Sequence, residues 1–320
     1  MNKSKQRQLN LRHVAQLLTV CDCGHSVSRA AEKLGIAQSV LSRNIQSLER
    51  HLGQRLLVRS GRRLVGATPL CDELLHDFRE ISVRIDNINS IATGRRGRVE
   101  GEIRVACTHL QARYVLPEVF AALRQDHPSL SFSIQQDFPA RINDLILANH
   151  ADLGICSEKL CDETSLTSHP AYQWERVVVA RPDHPILKRP RLSLAALARE
   201  PLVTYIPGIT GRGAMDEAFR RAGFEPNIIV AAADSDVIKE FARNGHGVGV
   251  IASIAYEEAD RGQLGMRRLG RLFPPMGARV VHRRDRLLTP AQEAFVKEFC
   301  KASARQAKEA AKRASGGRQA

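Results

Sequence analysis

The sequence predicts a multi-domain protein in which an all-α winged helix-turn-helix and a long linker helix precede a two-lobed α/β domain. Three observations indicate this class. Helical apolar spacing interrupted by glycines precedes residue 68, a stripe with a 3.5-residue period spans 71 to 92, and strand and helix patterns alternate from Ile103 onward. A chain of 320 residues is long enough to form more than one hydrophobic core.

The predicted boundaries follow these changes of pattern. They are 1–68 for the winged helix-turn-helix, 69–93 for the linker and dimerisation helix, 94–101 for a hinge, 102–300 for the two-lobed domain with its second lobe at about 171–272, and 301–320 for a basic tail.

The first segment contains three predicted helices. Apolar residues with helical spacing from Leu11 to Cys21 predict the first helix, Ser26 is a suitable N-cap for the second, and Gly35 suits the turn that follows. The third helix is predicted from Gln38 to Leu52, with Gly53 ending it.

The outer face of the third helix carries side chains suited to reading base edges. Gln and Arg can form paired hydrogen bonds with adenine and guanine in the major groove, and Ser reaches bases or phosphates. The predicted contacts on this helix are Gln38, Ser39, Ser42, Arg43 and Gln46.

A short hairpin with Arg62 and Arg63 at its tip is predicted after Gly53. As a wing of the helix-turn-helix, it would place both arginines on phosphate or in the minor groove. The alternative is an ordinary solvated loop.

The charge is unevenly distributed. Residues 1–100 hold 17 Lys and Arg against 9 Asp and Glu, whereas residues 101–300 hold 25 against 24. A basic first third beside a nearly neutral remainder predicts double-stranded DNA as a partner. The tail 301–320 holds 6 Lys and Arg against 1 Asp or Glu. It is predicted to be a solvated extension of the last helix.

The linker helix is predicted to begin at Thr68-Pro69, an N-cap followed by proline. Apolar residues then repeat at alternating spacings of three and four, at Cys71, Leu74, Phe78, Ile81, Ile85, Ile88 and Ala92. This seam predicts a homodimer through the linker helix, and two-fold symmetry then predicts an inverted-repeat DNA site, with further assembly to a homotetramer. The alternative is that the stripe packs on its own domain.

From Ile103 the order of strands and helices is that of parallel sheets in two lobes. One helix is predicted from about Gln111 to Arg124. Ligands of such sheets bind beyond the carboxyl ends of strands, where Thr108, Ser157 and Thr210 lie. For Thr108 the alternative role is that of an ordinary N-cap.

The segment "SVSRAAEKLGIAQSVLSRNIQSLERHLGQRLLVRSGRRLVGATP" resembles the helix-turn-helix signature of LysR-type regulators. The family usually has a proline where Ser39 and Val40 stand, and a glycine after the Thr-Pro where this chain has Leu70 and Cys71. The resemblance implies a DNA-binding transcriptional regulator with a periplasmic-binding-protein-like effector domain.

The segments "THLQARYVLPEVFAAL" and "PLVTYIPGITGRGAMDEAFRRAGFEP" resemble the CysB-like, sulfur-assimilation branch of that family. The resemblance implies a small anionic effector, such as sulfate or an acetylserine, that controls genes of sulfur metabolism and cysteine biosynthesis. It implies effector contacts from Thr108, Gln111, Ser157 and Thr210. The branch usually has a threonine where this chain has Leu110, which leaves a sulfonate, an aromatic acid or another organic acid as alternatives.

Other classes are disfavoured. Seven scattered cysteines without a CxxC pair predict reduced thiols and no metal site, and His109 beside Cys107 lacks an orienting third group, so neither catalysis nor a cofactor is expected. Arg113, Arg212 and Lys239 are predicted to form salt bridges or to lie on a solvated face, and neutralisation of a bound anion is the alternative. With no signal peptide or membrane-length apolar run evident, a cytoplasmic location is expected, and a solute-binding protein is the weaker alternative.

Overall fold

The computed structural model describes residues 9–60, 63–94, 99, 101–157, 164–209 and 211–316. It contains two compact units, one of residues 1–89 with 148–150 and the other of residues 90–147 with 151–320. Within the described ranges, no helix combines the length and the apolar character needed to cross a membrane.

The N-terminal unit is built from short, well-capped elements. They are α1 (Leu11–Asp22), α2 (Val27–Leu34), α3 (Gln38–Leu52), the antiparallel strands β1 (Leu57–Ser60) and β2 (Arg63–Ala67), and most of α4 (Pro69–Gly94). The Ser26 hydroxyl accepts a hydrogen bond from the Arg29 N–H at 3.4 Å, and Gly35 and Gly53 adopt φ values of 63° and 73° after α2 and α3. The predicted helices and the hairpin strands are confirmed.

The start of α4 belongs to the core of this unit. Cys71 and Phe78 are 0% and 4% exposed and cluster with buried residues of α1 and α3 such as Leu17 and Leu41. These two residues therefore cannot face a second copy, so the predicted seam is wrong for its N-terminal half. Further along α4, Ile88 is 65% exposed and remains available for pairing.

The C-terminal unit contains two five-stranded sheets. The first lobe has β3 (Gly101–Cys107), α5 (His109–Tyr114), α6 (Leu116–Asp126), β4 (Leu130–Gln136), α7 (Pro139–Leu147), β5 (Leu153–Ser157) and β6 (Leu166–Trp174), completed by β12 (Met276–Arg283) and α12 (Pro290–Gly316). The second lobe has β7 (Arg176–Ala180), α8 (Pro185–Lys188), α9 (Leu194–Ala198), β8 (Leu202–Tyr205), α10 (Arg212–Arg221), β9 (Ile228–Ala232), α11 (Ser235–Arg243), β10 (Val248–Ala252) and β11 (Gly265–Arg268).

Both sheets are mixed, which corrects the expectation of parallel sheets. The strand orders are β4-β3-β5-β12-β6 and β11-β7-β10-β8-β9. In the first sheet β12 runs antiparallel to β5 and β6, and in the second β7 runs antiparallel to β10 and β11. The chain therefore crosses between the lobes twice, first from Trp174 to Arg176 and again between Arg268 and Met276.

The helix predicted from Gln111 to Arg124 is two helices. Val115 separates α5 from α6 with φ −118° and ψ −50°, and Pro117 occupies the first turn of α6. A proline has no N–H for the helical ladder and restricts the residue before it, so the chain restarts the helix here. The break leaves α5 as a short, separate element beside the carboxyl end of β3.

Candidate functional site

The outer face of α3 is exposed as a polar surface. Leu41, Ile45 and Leu48 are at most 1% exposed and fix which side of the helix faces the core. Four of the five predicted DNA contacts on α3 lie exposed on the opposite side, and Ser42 is half-buried. The third helix therefore has the predicted polar face, and this face is exposed to solvent.

A polar groove of about 340 Å³ lies beside this face. Gln38 and Ser42 of α3 line it together with His25, Ser26 and Arg59. Arg62 lies outside the described residues, and of Arg63 only the backbone, which begins β2, is described.

Three further exposed arginines, in the last turn of α3 or after it in sequence, were not among the predicted contacts. Arg50, Arg55 and Arg59 line a second shallow groove with Gln46. The signal that could have identified them is the clustering of basic residues directly after the third helix.

The two lobes of the C-terminal unit enclose a cavity of about 260 Å³. Its walls come from the carboxyl ends of strands in both sheets, where parallel strands leave an open crevice. The lining residues are Thr108, His109, Leu110, Gln136, Asp137 and Phe138 from the first lobe, and Tyr205, Ile209, Ala233, Asp234 and Ser235 from the second. Of these, only Thr108 was among the four predicted effector contacts.

The missed residues follow one pattern. Gln136 ends β4, Tyr205 ends β8 and Ala233 follows β9, so each lies at the carboxyl end of a strand. Applying the strand-end rule to every strand, and not only to hydroxyl residues, would have found them.

Thr108 lies in the cavity wall at the N-cap position of α5. Its side chain makes no capping hydrogen bond, so the ordinary N-cap role does not account for its hydroxyl. Gln111 lies differently from the prediction: it is 5% exposed and is absent from the cavity wall, and its Oε1 accepts a hydrogen bond from the Tyr172 hydroxyl at 3.0 Å. Because Gln111 is one turn into α5, its amide points into the first lobe and braces the helix.

The other two predicted contacts are less fully described. Ser157 ends β5 and pairs with Ala278 of β12, but its side chain lies outside the described part of the structure. Thr210 also lies outside the described residues, between Ile209, which lines the cavity, and Gly211.

Hydrogen bonds link α5 to Asp236 of the second lobe. The Tyr114 hydroxyl donates to Asp236 Oδ1 at 2.6 Å, and His109 Nε2 lies 3.4 Å from Asp236 Oδ2. Burial acts to raise the pKa of Asp236, but the hydrogen bonds from Tyr114 and His109 outweigh it and hold that pKa below its usual range. The carboxylate therefore stays ionised and holds the two lobes together.

The three cations with predicted salt bridges do form them. Arg113 Nη2 lies 3.0 Å from Glu257, Arg212 Nε lies 2.7 Å from Asp216, and Lys239 Nζ lies 3.0 Å from Asp260. Their charges are matched by carboxylates within the protein.

Cys107 directly precedes the cavity residue Thr108, and one histidine and two aspartates lie close together at the cavity. Burial raises the pKa of the Cys107 thiol to about 12, so the thiolate is not formed near neutral pH. His109, Asp234 and Asp236 place possible metal ligands within 4.8 Å of one another. However, Asp234 already accepts a hydrogen bond from the Val237 N–H at 2.8 Å, and Asp236 is held by Tyr114.

Comparison with known proteins gives two family matches. Residues 11–71 match the family described as "Bacterial regulatory helix-turn-helix protein, lysR family", and residues 96–304 match the "LysR substrate binding domain".

The chain is similar to named regulators over most of its length. It is 33% identical to the transcriptional regulator CysB of Haemophilus influenzae, covering 79% of this chain and 78% of that protein. It is 36% identical to the regulator Cbl of Escherichia coli, covering 75% of this chain and 76% of that protein. The solved cofactor-binding domain of the Cbl regulator is 33% identical, with a TM-score of 0.59, covering 66% of this chain and 94% of that domain.

Proposed function

The chain belongs to the LysR family of DNA-binding transcriptional regulators, and from this premise we propose that it binds an inverted-repeat DNA site as a homodimer controlled by a small anionic effector. One observation carries the proposal: a cavity lined by both lobes of an α/β domain lies in the same chain as a helix-turn-helix with an exposed polar recognition face.

DNA contact is proposed for the polar face of α3 and the tip of the wing. Bidentate contacts from Gln38, Arg43 and Gln46 would read bases, and arginines would neutralise phosphates. The proposed DNA-binding residues are Gln38, Ser39, Ser42, Arg43, Gln46, Arg62 and Arg63. We add Arg50, Arg55 and Arg59 as proposed phosphate contacts, because they are exposed and share a groove with Gln46.

Dimerisation is proposed for the second half of α4. Ile88 and Ile91 are 65% and 52% exposed, and apolar residues on a helix surface are buried efficiently by the same face of a second helix. Two dimers would then join as a homotetramer, the arrangement that brings four recognition helices to one promoter.

The proposed effector is an anion of sulfur assimilation, such as sulfate or an acetylserine. The similarity to regulators named CysB and Cbl supports this class. Thr108, Ser157 and Thr210 are proposed to bind it, with Gln111 positioning α5 through Tyr172. A ligand that contacts both lobes binds their closed arrangement more tightly than an open one. This difference in affinity shifts the protein toward the closed arrangement and is the proposed means of control.

The test compares Thr108→Val, which removes only the hydroxyl, with Thr167→Val, which makes the same change on β6 away from the cavity wall. Loss of a hydrogen bond to a charged ligand costs about 1.5 kcal/mol or more, so we expect at least a roughly tenfold weaker sulfate affinity for Thr108→Val alone. Isothermal titration measures the affinity, and DNA binding without effector should not change. Equal sulfate affinity in both variants would remove Thr108 from the site.

A second effector class is favoured by the cavity itself. Leu110, Phe138 and Ile209 give much of the wall an apolar surface, and 260 Å³ exceeds the roughly 150 Å³ that suffices for benzene in an engineered apolar cavity. An anion with a hydrocarbon body, such as an aromatic acid or an organic sulfonate, would fill this space better than sulfate. Thermal-shift titration with sulfate, methanesulfonate, benzenesulfonate and benzoate distinguishes the two classes.

A further inference from the structure

Arg176 is a buried cation at the first crossover between the lobes. It is the first residue of β7, directly after the chain leaves the first sheet, and it is only 4% exposed. Its guanidinium packs over the rings of Trp174 and Phe273, at 5.7 Å and 5.4 Å from the ring centroids. Among the residues that the structure describes, it forms no ion pair with a carboxylate.

The partners of this guanidinium are backbone carbonyls from two distant segments. Nη1 donates to the carbonyl of Pro274 at 3.3 Å, and Nη2 donates to the carbonyl of Gly211. Pro274 lies in the second crossover, which leads into β12, and Gly211 is the N-cap of α10. One side chain therefore joins both crossovers to the segment that carries Ile209 into the cavity wall.

The contact at Gly211 is so close that a side chain at this position would displace the guanidinium. Gly211 has a φ of 95°, and a Cβ atom at this position would lie 2.5 Å from Arg176 Nη2. Glycine allows both the positive φ and the approach of the guanidinium to the backbone.

Arginine is the side chain suited to this place. Its planar head holds two separate donor nitrogens, Nη1 and Nη2, in a fixed fork, whereas lysine and glutamine donate from a single nitrogen atom. Burial lowers the pKa of Arg176 to about 10, so the group is still charged at neutral pH. An unpaired buried charge is costly, whereas an apolar side chain would fill the same space without that cost, so packing alone does not account for an arginine here.

We propose that Arg176 is a positioning residue that couples occupancy of the effector cavity to the two crossovers between the lobes. The proposal rests on the effector control proposed above. A ligand that displaces Ile209 in the cavity wall also shifts the nearby carbonyl of Gly211, which Arg176 holds. Because the same guanidinium also holds Pro274, the displacement reaches both connections between the lobes.

The test measures the affinity of the full-length protein for a promoter fragment, without effector and with a saturating concentration of one. The probes are sulfate, O-acetylserine and benzenesulfonate, and the probe with the largest effect on the wild-type protein is used. The ratio of the two affinities is the coupling, commonly about 5- to 150-fold in allosteric proteins. Because the effector is saturating, a weaker effector affinity does not change the ratio. If Arg176 had only a structural role, its substitution would leave the ratio unchanged.

For Arg176→Gln we expect the ratio to fall to less than about twofold, with effector-free DNA affinity close to that of the wild type. The matched control is Arg267→Gln. Arg267 also donates to carbonyls in the second lobe, such as those of Leu187 at 3.2 Å and Pro190 at 3.1 Å, and among the described residues its hydrogen bonds do not reach either crossover segment. This control should retain the wild-type ratio.

Gly211→Ala disturbs the same contact from the other side and keeps the arginine, so it replaces Arg176→Gln if that variant does not fold. A wild-type ratio in the folded variant overturns the role of Arg176, as does a lower melting temperature without any change in the ratio. A ratio of one for the wild-type protein with every probe refutes effector control itself, which is a different result.

Discussion

Leu110→Thr restores a hydroxyl to the cavity wall at the position where the CysB-like branch usually has threonine. Leu110 lines the cavity next to Thr108. A hydrogen bond to a charged ligand contributes about 1.5 to 3 kcal/mol, which corresponds to a roughly 10- to 150-fold gain in sulfate affinity. We therefore expect tighter sulfate binding, measured by isothermal titration at fixed ionic strength.

The same substitution should lower the stability of the C-terminal unit. Leu110 is half-buried and packs against the apolar clusters of both lobes. Removing part of this contact costs roughly 1 to 2 kcal/mol, by the usual value per buried methylene group. Thermal unfolding of the effector-free protein measures this loss.

Leu110→Val is the matched control, since valine and threonine have the same shape and only threonine has a hydroxyl. Both variants should lose similar stability, and only Leu110→Thr should gain sulfate affinity. If the two variants bind sulfate equally well, the hydroxyl has no ligand to contact, and the cavity wall at Leu110 does not determine effector choice.

Three further outcomes are expected. Ile88→Asp combined with Ile91→Asp should shift the protein to monomers in sedimentation velocity, because charges at exposed apolar positions oppose helix pairing. Arg43→Ala should weaken binding to the specific site by about 1 to 3 kcal/mol in fluorescence anisotropy, with a smaller change on unrelated DNA. The depressed pKa of Asp236 means that its contacts stabilise the fold above the ordinary pKa and that this stability is lost as the pH falls through the folded pKa. Asp236→Asn should thus cost about 1 kcal/mol or less at neutral pH, given solvent screening of a partly exposed carboxylate, and progressively less as the pH falls through the folded pKa.

Two of these predictions have control variants, and the third has a result that would contradict it. Leu287→Asp places a charge at another exposed apolar position and should not alter the sedimentation coefficient. Arg199→Ala removes an exposed charge from the second lobe and should not affect specific DNA binding. An unfolding profile of Asp236→Asn that stays parallel to the wild type at every pH would contradict the assignment of the ionised carboxylate.

The sequence predicts the N-terminal unit well because its signals are local. Ser26, Gly35 and Gly53 each act within a few residues, and the structure uses all three as predicted. The seam in α4 was less well predicted, since Phe78 has the spacing of a coiled coil and also fits the core of its own unit. Periodicity identifies an apolar face but does not identify what covers it.

The sequence predicted where the cavity lies better than it predicted which residues line it. Thr108 was predicted from its place after a strand and lies in the cavity wall, whereas Gln111 was predicted by resemblance and is absent from the wall, and its amide is bonded to Tyr172. That contact joins residues 61 positions apart, and the pairing of β12 with β6 joins Ala278 to Tyr172. Contacts at such separations depend on the assembled sheets, and no window of sequence contains both partners.

The place of β12 in the first sheet has a consequence for synthesis of the chain. β12 lies between β5 and β6, although more than a hundred residues separate it from β6 along the chain. Until residues 276–283 leave the ribosome, β5 and β6 have exposed edges, which are sites for aggregation. The second lobe is one continuous stretch from Arg176 to Arg268 and can fold first. Chains that stop shortly before Met276 should therefore have a folded second lobe joined to an incomplete first one, and should depend most strongly on chaperones.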